Sequence, residues 1–266
     1  MRLSTSIICG LVVALVTGGA GARAADDRTV SFCFNEWPPY ASTVDGEAVG
    51  LSVDILRESA RRAGFEPRFV ALPWKRCLQM VENGEIDAVM DAAERPQFIH
   101  GEVSFSVYTN VFWVRAADGP SSFEQAAREG GRLGIVAGYV YGDALEEMFE
   151  RSGMAIDKSV DDGTNIKKLG FGRTDIIVAD YASTRLFATE NNLDLRALLP
   201  AHSLDRLYAS FHVGRREKME KIDRALRAMC AEGWIRNAYI AALGHGLDVI
   251  SGERRCAPAR VTGDSR

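Results

Sequence analysis

Five short stretches hold the residues best suited to gripping a small molecule. FNEWPPYAS (34–42) follows directly on the apolar run VSFCF (30–34) and carries two prolines, a tryptophan and a tyrosine. Proline fixes φ, so the turn is stiff and presents Trp37 and Tyr40 with little entropy left to lose. Flat aromatic faces at such a place can sandwich an organic ligand or cover a cation, or else cap the core beneath them. LPWKRC (72–77) has the same logic: Pro73 stops a strand, Trp74 opens a helix, and Arg76 is an anion contact or an ordinary exposed arginine. In DAAERPQF (91–98) Arg95 follows a strand end, where a guanidinium can hold a carboxylate through two hydrogen bonds or lie solvated. VAGYVYGDALEEMF (136–149) reads as strand, glycine, an aromatic turn with Tyr139 and Tyr141, and a helix from near Asp143. The free N–H groups at that helix start suit a carboxylate. Asp180 ends the run IIVAD and suits an ammonium group, with capping of the following YASTRLFATE as its plainer role.

This is binding chemistry rather than bond-making chemistry. His100, His202, His212 and His245 have no neighbouring ligand spacing, and neither GxSxG nor HExxH occurs. The cysteines lack CxxC spacing, so neither a metal site nor a cofactor is expected. The glycines of GYVYG are too few for a phosphate loop, and the lysine of such a loop is absent.

The elements that must position these residues alternate in type. VSFCF (30–34), PRFVAL (67–72) and IDAVMDA (86–92) read as strands, with helices over 53–63 and 75–83 between them, each ending at a glycine. Strands alternating with amphipathic helices predict a mainly parallel α/β sheet. Clusters at 117–124 and 161–164 read as loops. One internal echo stands out: GEIDAVMD (84–91) and GRTDIIVAD (172–180) share a glycine, an aspartate before the apolar run and an acid at its end. The echo suggests two similar α/β lobes. Two long hydrophobic stretches, SFSVYTNVFWVR (104–115) and RLYASFHVG (206–214), are predicted to cross between them. Lobe one then comprises residues 25–111 and 208–266, lobe two residues 112–207, with a cleft between them beyond the strands' carboxyl ends.

Residues 1–24 read as a cleaved secretory leader: Arg2, the apolar core IICGLVVALV, and the small-residue site Ala22-Arg23-Ala24. Cleavage leaves 242 of the 266 residues and, with Arg2 and Arg23 gone, a net charge of −6 in place of −4. No basic stripe remains, which argues against nucleic acid. Cys33, Cys77, Cys230 and Cys256 survive, and an oxidising compartment permits disulfides in any of three pairings. Cys230 with Cys256 is the expected bridge, while Cys33 and Cys77 read equally well as free buried thiols.

Taken in order, these blocks resemble one family, the periplasmic solute-binding proteins of ABC importers for polar amino acids. The resemblance rests on WPPYAS with GEAVGLSVDIL, on NGEIDAVMDAAER, FSVYTNVFWV, GIVAGYVYG and GRTDIIVAD, and on the ending IDRALRAMCAEGWIRNAYIAALG. It implies a two-lobe, type II binding-protein fold that closes on its ligand. It also implies ligand-sandwiching aromatics at Trp37 and Trp74, an acid for an α-ammonium at Asp180, and a carboxylate held near Tyr139–Tyr141 and by Arg95. Two departures are visible. The serine- or threonine-rich run before the arginine is here DAAE, shorter by two residues, with Arg76 as a substitute anion contact; the lobe-two turn has tyrosine and valine in place of serine or threonine.

The leading expectation is an exported, monomeric binding protein that presents a small zwitterion to an inner-membrane ABC permease. The rival is a periplasmic dehydratase of the same fold acting on a cyclic precursor of aromatic amino acids, with Asp180, Glu94 or Glu36 as proton donor. A detached ligand carrier for a sensor is a third reading.

Overall fold

The computed structural model describes residues 28–244; the expected leader over 1–24, His245 and Cys256 lie outside the described residues. In chain order the elements are β1 Thr29–Phe34, β2 Ser42–Val44, β3 Glu47–Val49, α1 Leu51–Arg62, β4 Glu66–Ala71, α2 Trp74–Glu82, β5 Ala88–Ala92, β6 Phe98–His100 and β7 Ser106–Arg115. Then come α3 Phe123–Arg128, β8 Arg132–Val136, α4 Asp143–Arg151, β9 Ala155–Ser159, α5 Asp162–Gly170, β10 Ile176–Ala179, α6 Tyr181–Glu190, β11 Leu195–His212, α7 Arg216–Ala231 and α8 Trp234–Leu243.

The main sheet runs β4-β1-β5-β11-β7-β10-β8-β9, with β6 paired to β11 and β2–β3 forming a separate hairpin. β4, β1 and β5 are mutually parallel, as are β10, β8 and β9. Between these halves lie β11 and β7, both antiparallel to their neighbours. Each half places its first strand in the middle, so β5 and β10 are equivalent third strands. These carry the two echoing segments, and the expected two-lobe α/β architecture with two crossing strands is present.

Period-two alternation builds both layers. Val30, Phe32 and Phe34 of β1 pack with Ile55 and Leu56 of α1 and with α7 and α8, while Cys33 points to the other face with Trp74 and Cys77 of α2. In the second half Phe112, Val114 and Val178 meet Leu145 and Phe149 of α4, and Val111, Trp113 and Ile177 meet Ile166 and Leu169 of α5. Helices thus cover both faces of each half, as a largely parallel sheet requires.

Three expectations need correction. β11 starts at Leu195, well before the predicted 206, because its first half carries Pro200 and a register shift against β7 between Leu198 and Ser203. Proline is tolerated in a strand at such an irregularity, and its presence hides the strand from a local reading. The acidic cluster 161–164 opens α5 instead of forming a loop: the Asp161 carboxylate accepts from the Thr164 N–H at 2.7 Å. Finally, Cys33 and Cys77 are not free thiols. They form a disulfide, Cα to Cα 5.7 Å, that ties β1 to α2. Cys230 is also disulfide-bonded, and its expected partner Cys256 lies outside the described residues.

The Cys33–Cys77 bridge closes a loop of 44 residues, for which the chain-entropy model gives about 4 kcal/mol of stabilisation. Replacing both cysteines by alanine is expected to lower the urea-unfolding free energy by roughly 2–5 kcal/mol. A loss below about 1 kcal/mol would show that this bridge does not restrain the unfolded chain.

Candidate functional site

The aromatic turn after β1 is closed by backbone bonds between Trp37 and Ala41, at 2.7 and 3.0 Å. It packs so tightly over the start of α1 that a Cβ at Gly50, whose φ is +123°, would lie 2.5 Å from the Tyr40 carbonyl oxygen. Only glycine fits there. Trp37 is buried, stacked on Tyr40 at 4.0 Å and on Tyr108 at 5.7 Å, and its indole N–H donates to Ser183 Oγ at 3.1 Å. Ser183 belongs to α6, so this bond joins the two lobes.

Trp74 is the first residue of α2, fixed one turn ahead of the Cys33–Cys77 bridge. Its indole N–H donates to the Gly138 carbonyl at 3.1 Å, and Arg95 Nη2 donates to the same oxygen at 2.6 Å. The Arg95 guanidinium also lies 5.8 Å from the Trp74 ring. Gly138, with φ +88°, is the point where lobe two hands one carbonyl to two lobe-one side chains.

Between these walls stands Tyr139, edge-on to Trp74 at 5.6 Å and to Tyr108 at 5.7 Å. Its hydroxyl donates to Asp162 Oδ2 at 2.6 Å and accepts from Asn35 Nδ2 at 3.1 Å. Tyr108 donates to the other Asp162 oxygen at 2.9 Å. Burial holds both phenols well above their ordinary pKa, so they stay protonated donors. Burial also pushes Asp162 up to about 6, although the two phenols pull it the other way.

The space left within this frame is a cavity of about 40 Å³. That is room for a few waters and less than an amino-acid-sized solute fills. Of the eight sequence-predicted residues the structure brings five to the cavity wall: Trp37, Trp74, Arg95, Tyr139 and Tyr141. Arg76 is exposed and absent from that wall. Tyr40 and Asp180 line a different, largely apolar cavity with Leu199 and Leu204. Asp180 is buried, its oxygens accepting from the Thr109 N–H (3.0 Å), the Thr109 hydroxyl (2.6 Å) and the Ser183 N–H (2.9 Å). It caps α6, the plainer of its two predicted roles. The turn before α4 also differs from expectation: the Tyr141 N–H, which was to face a carboxylate, donates to Glu146 Oε1 at 3.2 Å. Glu36 and Glu94, considered as proton donors, are exposed and outside the cavity wall.

Two acids in the wall were not singled out from sequence. Asp91 ends β5 with φ +50°, and its Oδ1 accepts from the Ser52 hydroxyl at 2.8 Å and from the Ser106 hydroxyl. Burial raises it to about 6 against those two bonds. Asp205 of β11 accepts from Asn110 Nδ2 at 2.6 Å and is raised by burial too. In the same wall Arg95 has a buried Nε without a partner. Asp91 was visible as the acid closing GEIDAVMD; Asp205 gave no local signal, since only its register opposite Tyr108 brings it here.

Residues 31–244 match the model of the bacterial extracellular solute-binding proteins, family 3. The chain belongs to this family. A curated relative, a probable histidine-binding protein of Neisseria gonorrhoeae, is 22% identical over 200 residues, which is 71% of this chain and 74% of that protein. Among solved structures, an ancestral arginine-binding protein bound to arginine superposes with TM-score 0.72 at 21% identity, covering 82% of this chain and 99% of that one. A putative L-cystine ABC transporter protein from Listeria monocytogenes gives TM-score 0.73 at 16% identity, covering 82% and 98%. The fold of this family 3 protein is therefore the two-lobe, type II binding-protein fold.

Asp91 tests the electrostatics directly. Its folded pKa is raised from 3.8 to about 6, so its contribution to stability is full below pH 4 and is lost as pH rises through 6. A change of that size corresponds to roughly 3 kcal/mol. Asparagine keeps the acceptor for both serines and tolerates positive φ. Asp91→Asn is therefore expected to be more stable than wild type at pH 8, by up to about 3 kcal/mol, and nearly equal at pH ~3 in urea unfolding. Equal stability at both pH values would mean the folded-state carboxylate is not destabilised.

Proposed function

We propose that this chain is an exported capture protein that binds a small zwitterionic solute, an amino acid or a derivative, between its lobes and presents the closed form to an inner-membrane ABC permease. Lobe one is taken as residues 25–111 with 208–266 and lobe two as 112–207, with export through the leader at 1–24. The observation that carries this reading is the seam cavity itself. Aromatic rings from both lobes line it, and its wall also holds a guanidinium with an unpartnered Nε and two carboxylates. Such a wall offers each end of a zwitterion a partner of opposite charge and its carbon skeleton a flat apolar surface.

The same contacts account for closure. Among the hydrogen bonds that join the lobes are Trp37 to Ser183, Trp74 to Gly138, Arg95 to Gly138, Asn35 to Tyr139 and Tyr108 to Asp162. A ligand that displaces Tyr139 must replace what these bonds contribute, and it favours the closed form only through contacts it makes with both lobes at once. Of the eight residues first singled out, Trp37, Trp74, Arg95, Tyr139 and Tyr141 remain the proposed contacts. The relative named for histidine and the structure bound to arginine support an amino acid as the class of solute.

A thermal-shift screen of the protein against amino acids, amines and small carboxylates checks this reading. A solute of this class should raise the melting temperature in a concentration-dependent way and be recovered unchanged. Arg95→Ala should weaken it by roughly 10- to 100-fold, the worth of a charge-assisted hydrogen bond. No shift with any solute, or recovery of an altered compound, would overturn the proposal.

A further inference from the structure

We infer that the solute carries net positive charge, and that its cationic group docks on Asp91 with Asp205 rather than on Asp180. This rests on the capture reading and specifies the ligand of that same cavity.

The argument is one of charge and availability. The cavity wall holds two carboxylates, Asp91 and Asp205, and one cation, Arg95. A third carboxylate, Asp162, is one phenol away, behind Tyr139. A neutral zwitterion that satisfies Arg95 and one acid leaves the wall with unmatched negative charge, in a site that excludes water when the lobes close. Burying unmatched charge is strongly unfavourable. A ligand with one further positive charge removes the imbalance.

Availability separates the acids. Asp180 spends its oxygens on Thr109 and on the N-terminus of α6, and it lines another cavity. Asp91 is anchored through Oδ1 alone, by Ser52 and Ser106, which fixes the carboxylate and leaves Oδ2 for an incoming donor. The anchoring is unusual: a non-glycine residue at φ +50°, with burial acting against its charge. An acid held against both backbone preference and desolvation, in the wall of a cavity, has the character of a functional group. It stands at the first position of the shortened DAAE run, the departure already noted in the sequence. Asp205, held by Asn110 Nδ2, gives the cation a second carboxylate, and the Trp74 and Tyr139 rings supply cation-binding faces. A compact ammonium or a planar guanidinium meets these demands equally, so the shared chemistry is an organic cation of amine or guanidine type.

Three probes of matched shape decide the matter by calorimetric titration: L-arginine, its uncharged isostere L-citrulline, and agmatine, which lacks the carboxylate. Lysine, glutamine, leucine and phenylalanine complete the panel. Arginine or lysine is expected to bind at least ten-fold more tightly than citrulline or glutamine. Asp91→Asn, which keeps both serine bonds, should bring that ratio close to one while the variant still unfolds cooperatively; Asp205→Asn should lower it by a smaller factor. Agmatine binding as tightly as arginine would place the positive charge here and take the carboxylate contact away from Arg95. If citrulline equals arginine, if glutamine, leucine or phenylalanine alone binds, or if Asp91→Asn leaves the ratio unchanged, the inference is wrong and the capture reading survives. If nothing in the panel binds, both fall.

Discussion

Strand β7 takes Ser106, Tyr108, Thr109, Asn110 and Trp113 into the interior, and carboxylates from four different elements meet the first four. The Ser106 hydroxyl bonds Asp91 at the end of β5, and Tyr108 bonds Asp162 at the start of α5. Thr109 bonds Asp180 ahead of α6, and Asn110 bonds Asp205 within β11. An unpaired group along such a buried strand forfeits its bonds to water without compensation; these four side chains each have a carboxylate partner, whereas Trp113 Nε1 and Asn110 Oδ1 on the same strand are buried without one. The pairing fixes where both lobes sit along the strand they share. The lobes' third strands, β5 and β10, each end in an acid that reaches this strand, which gives the internal sequence echo its physical sense.

The binding region inherits its character from that arrangement. Carboxylates needed to satisfy β7 stand at the seam between lobes, where burial raises all four, Asp91, Asp162, Asp180 and Asp205, above their ordinary range. Hydroxyl and amide donors limit the penalty without abolishing it. Aromatic rings then fill the seam: Trp37 leans on Tyr40 and Tyr108, while Tyr139 stands against Trp74 and Tyr108. Because Trp74, Trp37 and Tyr139 each take part in a hydrogen bond to the opposite lobe, the rings that would enclose a solute are also ones that join the lobes.

Family membership and the fold fit this reading but leave the occupant open, since one two-lobe frame serves solved structures at 21% and 16% identity bearing different ligand names. Specificity lies in which polar groups the frame leaves uncommitted. Here the acid that the family resemblance assigns to an α-ammonium is engaged in capping α6 and holding Thr109, whereas in the cavity wall Asp91 is held through Oδ1 and Arg95 Nε has no partner.

The strands and helices were largely legible locally, because apolar alternation and amphipathic spacing report burial on one face at a time. VSFCF, IDAVMDA and the helix from Asp143 lie where their patterns place them, and proline-stiffened Trp37 and Trp74 announce a cleft wall from sequence alone. What stayed hidden depends on register between segments far apart in the chain. Asp91 and Asp180 look alike as strand-end acids, and only the packing of Thr109 and Ser183 around one of them decides which remains open to the cavity. Asp205 faces the seam because β11 pairs with β7 across a register shift, and a one-residue slip would turn it away. The sequence by itself determined the two-lobe frame and its aromatic walls, since those follow from local periodicity and rigid turns. Tertiary structure alone decided which carboxylates line the seam cavity, since long-range strand register and the satisfaction of buried donors settle that choice.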